Sequence, residues 1–75
     1  MAELLWDYRK RLAVQLLRQQ HAKGVVGLTA GDVAGMLGTP HIKTRHMLTT
    51  GREFRRVAGT GTTREPYLYG LAEGV

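Results

Sequence analysis

Positions 37–40 read LGTP, and no other stretch constrains the fold as much. Glycine enters the left-handed region without steric cost and so ends helices. Proline suits the first helical position, where its preset φ helps and its missing N–H is not needed. A helix is therefore expected to stop at Gly38 and a new one to start at Pro40, with Thr39 as a favourable N-cap. The upstream helix is delimited at its other end too. Thr29 with Asp32 three residues on is a capping-box-like start. Ala30, Val33, Ala34 and Leu37 then share one face, so this helix covers about residues 30–37. Gly31 and Gly35 fall on its other face. Each costs about 1 kcal/mol relative to alanine, which implies room for a close neighbour. The downstream helix covers about residues 40–50, with Gly51 beyond its end. Its Thr44, Met47 and Leu48 share the core side, while His41, Ile42, Arg45, His46 and Thr49 lie opposite and Lys43 sits at the edge.

Helices this short need another apolar surface to pack on. Residues 2–23 supply it. At helical periodicity Leu5, Trp6, Leu12, Ala13, Leu16 and Leu17 fall on one broad face, with Asp7, Lys10, Arg11 and Arg18 opposite. Asp7 and Arg11 are spaced for a favourable ion pair. Arg9 breaks the pattern by projecting into the apolar arc, where it either snorkels to the edge or meets a second chain. Gly24 stands where a C-terminal cap belongs. With 75 residues and no cysteine, the chain makes one domain, residues 1–75, without a disulfide or a Cys-based zinc site. Its 43% apolar content suffices for a core.

The remaining segments change period. VVGL (residues 25–28) can only be a minimal strand that pairs with something later. FRRV (54–57) and YLYGL (67–71) are β-prone and flank AGTGTTREP, a Gly- and Thr-rich stretch read as a flexible loop, so residues 54–71 form a hairpin. The last four residues are expected to fray.

In this order of elements the stretch TAGDVAGMLGTPHIKTRHML (29–48) resembles the two-helix core of the winged helix-turn-helix superfamily. There a capping Thr, an Ala facing the third helix and a closing Leu-Gly pair take the places of Thr29, Ala34, Leu37 and Gly38. EPYLYGL (65–71) is similar to a returning wing strand, and the likeness covers about residues 12–71. It departs from the pattern at Thr39, usually aliphatic, and at Thr44, often Val or Ala. The fold implied is α+β, mostly α: three helices, a minimal first strand and a C-terminal two-stranded wing.

That resemblance implies a double-stranded DNA binder that lays the third helix in the major groove. A net charge of +5 and a pI near 10.3 suit a polyanion. Arg45 can fork onto guanine, and His41 or His46 can donate to base acceptors. Ile42 either meets a thymine methyl or packs against the hairpin or second helix. Lys43 and Thr49 complete the candidate base-reading set. Arg55, Arg56 and Arg64 flank the Gly/Thr loop and, with Thr29, Arg52, Thr62 and Thr63, form the candidate backbone contacts. Lys10, Arg11, Arg18 and Lys23 read as a solvated face.

Other chemistries are excluded by residue type. GTGTT (59–63) lacks the GK[ST] ending of a phosphate loop. There is no Ser, Cys or Asn, and the carboxylates are scattered, so no catalytic constellation is expected. His41 and His46 are spaced i,i+5 rather than i,i+4, so no metal site is expected; no cofactor or small-molecule ligand is expected either. A homodimer joined through Trp6 and Arg9 is expected, at a cytoplasmic location, since no signal peptide or membrane-length apolar run is present. The function implied is that of a small transcriptional regulator. Its variants are a phage or plasmid excisionase-like accessory factor, a protein-interaction module and, with few aromatics for stacking, an RNA binder.

Overall fold

The computed structural model describes residues 2–75, with side chains from Leu5 onward. Three helices, α1 (Ala2–Ala22), α2 (Ala30–Leu37) and α3 (His41–Thr50), precede two strands, β1 (Phe54–Ala58) and β2 (Leu68–Leu71). The class is α+β and mostly helical, in the layout expected of a winged helix.

α1 buries Ala13 and Leu17, and Trp6, Val14 and Leu16 pack beside them. It closes as expected, with the Val25 N–H donating to the Gln20 carbonyl at 2.9 Å and Gly24 at positive φ. Two details differ from the wheel. Leu5 remains 48% exposed. Lys10, assigned to the solvated face, turns inward and pairs with Glu53 at 3.5 Å. Its long aliphatic stem accounts for this, since it lies along the apolar surface while the ammonium reaches an anion at the edge. Among the described residues Asp7 and Arg11 form no ion pair.

The start of α2 is the expected reciprocal cap. The Asp32 N–H donates to Thr29 Oγ1 at 3.1 Å and the Thr29 N–H to Asp32 Oδ2 at 3.4 Å. Ala30, Val33 and Ala34 are buried. Gly38 takes the left-handed conformation at φ 66°, and the Thr39 N–H reaches back to the Ala34 carbonyl at 3.0 Å. The glycines on the outer face do not mark tight packing. Nothing lies within 4 Å of a Cβ placed on Gly35, and the nearest side-chain atoms to one on Gly31 lie at ordinary contact distance, 3.8 Å.

α3 starts one residue later than expected, at His41, with Pro40 in the cap position and no side-chain cap. Thr39 is drawn away from capping by a stronger claim on its hydroxyl. Thr44 is fully buried and donates to the Pro40 carbonyl at 2.7 Å. That uses its single proton, so Thr39 donates in the 2.6 Å contact between the two hydroxyls. The two departures from the winged-helix pattern thus compensate each other, because each threonine satisfies the other where aliphatic residues would otherwise stand.

β1 and β2 are antiparallel, Phe54 opposite Leu71 and Arg56 opposite Tyr69, with a bulge between Arg56 and Ala58. The segment at residues 25–28 contributes one bridge: Leu28 and Tyr69 exchange N–H···O bonds of 3.0 and 2.7 Å. Leu28, Met47, Leu48, Phe54 and Tyr69 complete the core, which anchors α3 beneath and leaves its other side open. No helix of the described residues is long and apolar enough to cross a membrane.

Candidate nucleic-acid interface

Burying Thr44, Met47 and Leu48 fixes the rotation of α3, so His41, Ile42, Lys43, Arg45, His46 and Thr49 all emerge exposed. Ile42 is 77% exposed, which removes the expectation that it packs on the hairpin or α2. The six do not form one uniform face. His41 and Arg45 look toward the wing. Ile42, Lys43 and His46 border a groove of about 610 Å³ against Trp6, Lys10 and Met47. The Thr49 hydroxyl is committed internally, donating to the Arg45 carbonyl at 2.8 Å and lying 3.4 Å from the Tyr69 hydroxyl.

The loop between the strands is closed by its own hydrogen bonds. The N–H groups of Thr60, Gly61 and Thr62 converge on the Glu65 carbonyl at 3.1, 3.0 and 3.3 Å. The Glu65 N–H in turn donates to Thr62 Oγ1 at 3.0 Å. Gly61 is required here. It sits at φ 83°, and a Cβ on it would stand 2.5 Å from the Tyr67 ring. This places Thr62 and Thr63 across a cleft of about 420 Å³ from His41 and Arg45, with Thr29 to Gly31 at its end. The cleft therefore unites a helix N-terminus, two hydroxyls, a guanidinium and an imidazole. Such groups can hold an anionic backbone while leaving planar donors for base edges.

The three wing arginines separate. Arg64 is exposed in the loop. Arg56 lies over the Tyr67 ring, 4.1 Å from its centroid. Arg55 points to the opposite face of the hairpin, where it borders a recess with Leu17, Arg18 and Val26. Successive residues of a strand alternate sides, so Arg55 and Arg56 cannot both face α3. Arg52 is exposed between α3 and β1.

The Trp6 and Arg9 pair has an explanation within one chain. The Arg9 guanidinium lies 4.7 Å from the Trp6 ring centroid, and Trp6 itself packs on the core. Arg9 thus covers an aromatic face, an arrangement neither snorkelling nor a second chain is needed to explain. Sequence reasoning did not single out Tyr67 and Pro66, which line the cleft, or the Lys10–Glu53 pair. The alternation of Tyr67 with Tyr69 was the available signal, since residues two apart share a strand face. Comparison of this chain with protein-family models, curated proteins and solved structures returns no match.

Proposed function

We propose that the chain is a sequence-specific double-stranded DNA-binding protein of the winged helix-turn-helix type, acting as a small transcriptional regulator in the cytoplasm. The observation that supports this most is the cleft in which exposed His41 and Arg45 face Thr62 and Thr63 of a closed loop. α3 then enters the major groove, about 12 Å wide, while the loop reaches the neighbouring backbone. Arg45 and His41 read base edges, and Ile42 meets a thymine methyl beside them. Arg64, Thr62 and Thr63 hold phosphates. Arg55 takes no part, because it lies on the far face of the hairpin. Each phosphate neutralised by a basic side chain, Arg64 among them, steepens the fall of log K against log salt by about 0.9. A homodimer would present two copies of α3 to a repeated half-site. An excisionase-like role uses the same contacts.

Selection from a randomised duplex library at two salt concentrations tests the reading. The expected result is one enriched motif at both salts, with lower occupancy at the higher. Absence of duplex binding at low salt refutes it. Arg45→Ala is expected to relax preference at its base position by about 1–3 kcal/mol while leaving binding to random duplex.

One observation favours a second reading, a protein-interaction module. The groove formed by Trp6, Ile42 and Met47 is mostly apolar and open. That reading requires partner binding that persists at high salt, with no duplex binding at low salt.

A further inference from the structure

One ring connects the wing loop to the hairpin that carries it. Tyr67 lies beneath the Arg56 guanidinium, 4.1 Å away, and against the Gly61 backbone, which has no side chain to hold it off. From Gly61 the loop turns back through the three N–H groups on the Glu65 carbonyl. Thr62 and Thr63 are thereby set opposite His41 and Arg45. Arg56 is placed to close this stack and is occupied by it.

We infer that Arg56 and Tyr67 are positioning residues that hold the wing loop opposite α3, and that Arg56 is not itself a phosphate contact. The inference rests on the DNA-binding reading above. Its chemistry separates the two roles of an arginine. A phosphate contact needs a positive charge, which lysine also supplies. A planar guanidinium stacks on an aromatic ring through its whole face, whereas the compact ammonium of lysine keeps only part of that attraction. A tyrosine that acts through its ring face is replaceable by phenylalanine but not by leucine.

The test measures affinity for the selected duplex and for a random duplex with R56K, R56Q, Y67F, Y67L and the double variant R56Q/Y67L, together with amide exchange at Thr60, Gly61 and Thr62. R56Q is expected to weaken both duplexes about threefold with the slope of log K against log salt unchanged, and R56K by less. Y67L behaves as R56Q. The double variant is no weaker than either single one, because both changes open the same clamp. Loop amides exchange faster in R56Q and Y67L and not in Y67F. A salt slope flattened by about one unit in R56Q assigns Arg56 to phosphate and overturns the inference. So do losses that multiply in the double variant, or loop amides that exchange alike in all variants. Arg56 is exposed, so R56Q remains informative even if Y67L unfolds. If the unaltered chain binds neither duplex, the DNA-binding reading and this inference fall together. If it binds and the variants bind equally, only the inference falls.

Discussion

In α2 and α3, each cap and each buried hydroxyl is satisfied by a residue at most five positions away: Asp32 by Thr29, Thr39 by Ala34, Thr44 by Thr39. The wing loop has short ties too, to Glu65, but the hairpin beneath it is held by long ones. Arg56 meets Tyr67 eleven positions on, Tyr69 pairs with Leu28 across most of the chain, and Thr49 approaches Tyr69 twenty positions away. Short ties form with little loop-closure cost and set where α2 and α3 begin. Long ties depend on the core already being assembled. α3 is thus delimited by local bonding and the hairpin placed by tertiary contacts, and the two should respond differently to perturbation.

The largest effect tests whether a shared core underlies both regions. Leu48 is 1% exposed and lies between them, so Leu48→Ala is expected to cost about 2–5 kcal/mol. Denaturant melting should show α3 and the hairpin lost in one transition, and two separate transitions break the idea of a common core. Next in size is the hydroxyl pair. Thr44→Val leaves the Thr39 hydroxyl without its acceptor, an expected loss of about 1–3 kcal/mol. Thr39→Val combined with Thr44→Val should recover part of that loss, and strictly additive values from a double-mutant cycle contradict the pairing. Removing the cap on α2 is smaller. Thr29→Ala should lower stability by about 1 kcal/mol without altering exchange in the loop at residues 59–67. Faster loop exchange would erase the distinction between local and long-range order. The smallest effects are on binding. Arg64→Ala should weaken all duplexes alike and flatten the salt slope by about one unit. Arg55→Ala should change neither, and a matching loss would return Arg55 to the interface.

The same contrast decides what could be read from the sequence. Helix boundaries were legible because a cap is a pattern of three or four neighbouring residues, as in Thr29 to Asp32 or Leu37 to Pro40. The exposed set on α3 was legible because helical periodicity fixes which side chains oppose Thr44, Met47 and Leu48. The misplacement of Thr39 came from competition. A cap and a buried partner both suit its hydroxyl, and only the packed structure shows that Thr44 takes it. The split of Arg55 from Arg56 follows from strand alternation, yet the sequence does not show which of the two looks toward α3. The closure of the loop depends on a ring meeting a glycine from another part of the chain, Tyr67 on Gly61. Composition shows only that Gly and Thr abound there.

The chain has a single indole, and Trp6 places it beside the flank of α3 that carries Ile42, Lys43 and His46. Its emission is therefore a built-in optical gauge of that flank, needing no attached dye. A duplex, a peptide or a second subunit settling against Ile42 changes the polarity around one fluorophore, while an event confined to the far side of the hairpin leaves its spectrum still.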